Sequence, residues 1–204
     1  FFETGFDKFP TDIPTGVKFL TMTKYFEEQT APVIIPPPNI KNSLAEYLST
    51  NGKTQLHIAE TGKYAHVTFF FNGLISTPFF GEDDVFIESA KDIENNPAMC
   101  AAEIVNKTIN SMNNRKYDLV VMNLANPDLL AHTGNFEATV KGLGVVDEQL
   151  DRLKKSILAN DGVLIVTADH GNAESLVYKT GGEVETKHND NPVFCYLIGN
   201  QYQK

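Results

Sequence analysis

The sequence predicts an α/β layered domain with a mostly parallel sheet. Two observations carry this. Short apolar runs that read as buried strands alternate with helical segments, and polar clusters rich in Asp and His follow the strands.

The elements are predicted in chain order as follows. Before residue 39, Pro10, Pro14, Pro32 and Pro36-Pro37-Pro38 exclude long helices. Residues 17–22 and 33–35 are short strand candidates. A helix starts near Asn42-Ser43 and ends at Asn51-Gly52, a plausible C-cap pair. Residues 55–59 and 67–72 read as strands, the second rich in aromatic and β-branched residues. Pro97 fits the first turn of a helix reaching Asn113, with Ala101, Val105, Ile109 and Met112 on one face. Residues 118–124 form an apolar strand of the kind buried on both faces of a parallel sheet. Residues 135–159 form a long helix with the stripe Phe136, Val140, Leu143, Val146, Leu150, Leu153 and Ile157. Residues 162–167 and 192–198 are two further strands.

Composition narrows the function. Apolar residues make up 42% of the 204 and charged residues 21%, the profile of a globular protein rather than a disordered one. A net charge of -9 argues against nucleic acid and anionic membranes as partners. No apolar run approaches the ~20 residues of a membrane span, and no signal peptide is visible. Cys100 and Cys195 form no CxxC pair and read as buried thiols of a reducing compartment. The start Phe1-Phe2-Glu3, without Met, reads as a fragment or a processed chain.

Ligands of open α/β sheets bind beyond the carboxyl ends of the strands. Asp128 and His132 follow the strand 118–124 and are four residues apart, so one helical turn puts both on one face, where they can share a metal. The plainer reading makes Asp128 a turn cap and His132 a packed surface residue. Asp169-His170 follows the strand 162–167, and Gly171 allows a tight turn there. That pair is either two ligands on one bend or a decorated turn. His188 precedes the last strand and alone reads as a surface residue. Three of five histidines therefore lie on this edge, two with an aspartate close by. Asp and His together suit a borderline-hard ion such as Mn²⁺ or Zn²⁺, and two such ions can clamp a phosphoryl oxygen. Lys63 lies in a stretch joining two predicted strands, either as a phosphate contact or as a solvated lysine. His57 lies inside a strand and reads as structural.

Taken together, Lys63-Tyr64-Ala65-His66-Val67-Thr68-Phe69-Phe70-Phe71-Asn72-Gly73, Ala125-Asn126-Pro127-Asp128 with His132-Thr133-Gly134, and Thr167-Ala168-Asp169-His170-Gly171-Asn172-Ala173-Glu174 resemble the cofactor-independent phosphoglycerate mutases over residues 36–198. The resemblance implies an alkaline-phosphatase-like three-layer sandwich, incomplete in this chain. Residues 1–35 would follow an inserted transferase domain, and 36–204 would be the C-terminal part of the metal-binding domain. It also implies interconversion of 3- and 2-phosphoglycerate in glycolysis through a phosphoserine, in a cytoplasmic enzyme that is monomeric when whole. Two divalent ions are implied, Mn²⁺ first, with Mg²⁺, Co²⁺ or Zn²⁺ as alternatives. Asp128, His132 and His188 match the ligands of one, Asp169 and His170 those of the other. Lys63 matches a substrate-phosphate lysine.

Some positions depart from that pattern. Gly62 stands where the family usually has Glu, Leu74 where it has Gly, and Asn189-Asp190-Asn191-Pro192 where it has Thr-x-Asn-Pro. No serine here lies in a Gly-Asn-Ser-Glu-x-Gly-His setting, so the chain alone is expected to be inactive, with its second metal site lacking an Asp and the Ser. The competing readings are another enzyme of that superfamily (a phosphopentomutase or metal-dependent phosphatase) and a non-catalytic metal-binding remnant.

Overall fold

The computed structural model of the chain describes residues 16–25, 29–115, 117–176 and 184–202. Pro10 and Pro14 lie outside them. Two units separate at Lys41 and Asn42. In the first, the two expected strands reduce to one parallel bridge between Thr21 and Val33. Thr21 N–H donates to Pro32 O and Ile34 N–H to Thr21 O. Pro32 and Pro36 have no N–H to extend a ladder.

The second unit begins with α1 (Leu44–Thr50), where expected. Ser43 caps it, its hydroxyl accepting from Glu46 N–H at 3.2 Å. Three parallel strands follow in the spatial order β2-β1-β3. β1 (Gln55–Glu60) is central and buried at every position. β2 (Glu82–Ile87) and β3 (Leu119–Met122) flank it. The helices α2 (Thr61–Val67) and α3 (Ala101–Asn114) lie in the crossovers between them.

The predicted strand at 67–72 is a correction. Val67 ends α2 and the next residues continue in turns, with Thr68 N–H bonding to Tyr64 O and Asn72 N–H to Thr68 O. Aromatic composition suggested a strand, but the ladder beside β1 belongs to β2. That strand opens Glu82-Asp83-Asp84, which hid it from an apolar pattern. α3 starts at Ala101 rather than Pro97, because the carbonyls of Pro97 and Ala98 are turned to the Asn126 side-chain amide.

α4 (Asn126–Thr133) and α5 (Phe136–Ala159) pack against each other across Gly134, which caps α4 in the left-handed region at φ 74°. The expected stripe of α5 holds in its second half, where Leu153 is buried. In its first half Phe136, Val140 and Leu143 are exposed, and Ala138, Thr139 and Gly142 are buried instead. The reason is close helix approach: a Cβ on Gly142 would stand 2.2 Å from Leu130 Cδ1. β4 (Val163–Thr167) and β5 (Cys195–Gly199) pair antiparallel. Leu164 is the buried residue of β4, while Val163 and Ile165 are exposed.

The core has two clusters. Ile58, Ile87, Cys100 and Ile104 form one; Val105, Leu153 and Leu164 form the other, and Met122 and Leu124 pack against both. Cys100 is buried as expected; Cys195, the first residue of β5, is exposed like the two residues after it. No helix among the described residues is long and apolar enough to cross a membrane.

Candidate metal centre

Two helices and a loop that follow the carboxyl ends of strands supply the polar side chains. Lys63 follows β1, Asp128 and His132 follow β3, and Asp169 and His170 follow β4. His188 reaches them on the segment before β5. That segment is held at Gly171, bridged antiparallel to Asn189, whose N–H donates to Gly171 O at 2.9 Å. A Cβ there would meet Asn189 Oδ1 at 2.1 Å and Glu174 Oε1 at 2.5 Å, so any other residue must displace those side chains. Asn191 Nδ2 donates to the same Glu174 oxygen at 2.8 Å.

Asp128 is the hub. Its Oδ1 lies 3.1 Å from His188 Nε2 and 3.2 Å from His132 Nε2, and those two nitrogens are 2.9 Å apart. Its Oδ2 pairs with Lys63 Nζ at 2.6 Å. Lys63 is buried, so it is no solvated surface lysine. Asn172, also buried, donates to Asp128 Oδ1 at 2.6 Å. Burial pushes the Asp128 carboxyl up, but hydrogen bonds from Lys63 and Asn172 and the charge of Lys63 outweigh it and hold the group at about 2.

The histidine tautomer follows from one contact. His132 Nδ1 lies 2.7 Å from the Thr186 carbonyl, which can only accept. Nδ1 therefore carries the proton, and Nε2 presents a lone pair toward Asp128 and His188. Tetrahedral zinc with ligands at about 2.0–2.1 Å has ligand–ligand edges of roughly 3.3 Å. The 2.9, 3.1 and 3.2 Å separations among Asp128, His132 and His188 come close to that, so the donor set fits a divalent ion.

The other predicted pair splits. His170 stacks on His188 with ring centroids 3.5 Å apart, and Asp128, His170 and His188 offer ligand atoms within 4.8 Å of one another. His170 thus joins the same cluster, with its buried Nδ1 lacking a partner. Asp169 stays at the rim, its half-exposed carboxylate 3.4 Å from His170 Nε2. Sequence reasoning assigned no role to Asn172, Glu174 or Thr186. Asn172 and Glu174 stand inside the quoted Asp-His-Gly run; the Thr186 carbonyl left no signal.

The description "Metalloenzyme superfamily" matches residues 13–204, and the chain belongs to that family. Within it, the chain is 42% identical over 205 residues to the 2,3-bisphosphoglycerate-independent phosphoglycerate mutase of Francisella philomiragia, covering 98% of this chain and 40% of that protein. It is 43% identical over 197 residues to the like-named protein of Clostridium botulinum, covering 95% of this chain and 38% of that one. The fold matches a crystal structure of Leishmania mexicana phosphoglycerate mutase at low cobalt concentration, with TM-score 0.82 and 30% identity over 90% of this chain and 36% of that one. The family resemblance read from the motifs is the one these relatives carry. The chain spans about two fifths of their length.

Proposed function

We propose that the whole protein interconverts 3-phosphoglycerate and 2-phosphoglycerate through a phosphoserine intermediate, with this chain supplying most of a two-ion centre. The observation that carries the reading is the convergence of Lys63, Asp128, His132 and His188 on one point beyond β1 and β3. Asp128, His132 and His188 would hold one divalent ion; Asp169 and His170 would contribute to the second. When bound, the ions supply positive charge for the transferred phosphoryl and for the serine hydroxyl that accepts it.

The chain's own residues do the remaining work. Lys63 lies ready beside the centre, and its Nζ offers donors to a phosphate oxygen as well as to Asp128. Asn172 fixes the Asp128 carboxylate, and Thr186 O fixes the His132 ring, so both ligands are oriented before an ion arrives. The nucleophilic serine has no counterpart among the serines of this chain.

The test is a coupled assay of full-length protein on 3-phosphoglycerate and on ribose phosphates, before and after chelation. Turnover of 3-phosphoglycerate that disappears with chelator and returns with Mn²⁺ is expected. Conversion of ribose phosphates alone, or activity indifferent to chelator, would overturn the reading. The 204 residues alone are expected to show no turnover.

A further inference from the structure

A second group of metal-ligating side chains lies inside the sheet, built from none of the residues above. His57 on β1 stands in register with Asp84 on β2, and Glu82 is two residues earlier on the same face. His57 Nδ1 lies 3.2 Å from Glu82 Oε1 and 3.6 Å from Asp84 Oδ1. His57 and Glu82 are fully buried side chains, and Asp84 is 13% exposed. The three ligand atoms all lie within 4.8 Å of one another.

The tautomer of His57 decides what this group needs. Gln55 Nε2 donates to Ala45 O at 3.0 Å, which leaves Gln55 Oε1 as the acceptor facing His57 Nε2 at 3.3 Å. Nε2 is therefore the protonated nitrogen. Nδ1, left without a hydrogen-bond partner like Asp84 Oδ1, points at two carboxylates. Three such atoms facing one another in a dry site call for a proton or a cation between them.

No lysine or arginine among the described residues pairs with Glu82 or Asp84. Arg115 pairs with Asp83, which alternates to the opposite face of β2. The surroundings also resemble an outer shell. Asn72 Nδ2 donates to Glu82 Oε1 at 2.6 Å, Phe79 N–H to Glu82 Oε2 at 2.9 Å, and the Phe71 ring packs edge-on against His57.

We propose that His57 Nδ1, Glu82 and Asp84 bind a divalent cation of borderline hardness, zinc first, as a structural site tying β1 to β2. One imidazole and two carboxylates are a zinc-type donor set. The 3.2 and 3.6 Å separations match the roughly 3.3 Å edge expected around zinc. Asp84 marks the side from which the ion enters.

The experiment isolates this site from the Asp128 centre. The chain carrying His188→Ala is stripped with chelator, loaded with Zn²⁺, gel-filtered and measured for metal. One zinc per chain is expected to remain, and adding His57→Gln or, separately, Asp84→Asn removes it. Zinc should raise the melting temperature of the His188→Ala chain but not of either double variant. X-ray absorption should show N/O ligands at about 2.0–2.1 Å and no sulfur. Asp84→Asn is the conservative arm, since it keeps shape at the most accessible position. Zinc content in His188→Ala that neither substitution changes, or a folded His188→Ala chain that retains no zinc, overturns the proposal; the second outcome means the triad holds only a proton.

Discussion

Asp128 and Asp84 belong to similar clusters, each an aspartate facing histidine, yet their carboxyls move in opposite directions. Lys63 and Asn172 hold Asp128 at about 2, whereas burial and the neighbouring Glu82 push Asp84 up to about 7. The difference is a built-in cation. Lys63 Nζ supplies one 2.6 Å from Asp128, while nothing permanent supplies one to Asp84. The first centre lies beyond strand ends; the second lies within the β1–β2 ladder.

The comparison can be broken most severely at Lys63. Lys63→Met leaves Asp128 with no permanent cation, as Asp84 is now. Under the proposed mutase activity of the whole protein, a loss of roughly 10²–10³ in turnover is expected, the cost of removing one donor to a developing charge. Steady-state kinetics on 3-phosphoglycerate checks it, and near-normal turnover would separate Lys63 from the chemistry.

Gly171→Ala comes next. The added methyl must displace Asn189 and Glu174, which carry the His188 segment. Overpacking of this kind costs about 1–3 kcal/mol. Urea denaturation should show that loss together with weakened metal binding, whereas loss of stability alone would mean that His188 is positioned by other contacts.

The pH dependence sharpens the comparison further. In the metal-free chain the depressed Asp128 group contributes about 2 kcal/mol of stability above its ordinary 3.8, lost as pH falls toward about 2. Asp84 has the opposite sign. Its raised group keeps a proton in the folded chain, so stability declines as pH rises from 3.8 to about 7. Asp84→Asn should flatten the neutral slope of a urea-midpoint profile and leave the acid limb unchanged. The smallest effect is expected at the α1 cap, where Ser43→Ala should cost ~1 kcal/mol by the same measurement and touch neither cluster.

Much of the first centre was legible because its signals are local. Asp128 and His132 are one helical turn apart, and Asp169-His170 follows an apolar run, so spacing and strand ends sufficed to nominate them. What spacing could not give was the geometry that gathers His170 and His188 into a stack, or the burial of Lys63 against Asp128. The second cluster was hidden for a different reason. It depends on the register of β1 with β2, and the acidic opening of β2 masked that strand while the aromatic run at 67–72 imitated one. His57 therefore looked like an ordinary core histidine. The exposed first half of the α5 stripe was equally illegible, because the small residues that α4 packs against there give a weak apolar signal.

The central claim is that Asp128, His132 and His188 bind a divalent ion. Titration of the chelator-stripped chain with Mn²⁺, followed by the loss of the free-ion signal in electron paramagnetic resonance, tests it most directly. The account predicts saturable binding, with at least one site fewer in the His188→Ala chain and no change on substitution of the exposed His66. Equal binding by the parent chain and the His188→Ala chain would contradict it.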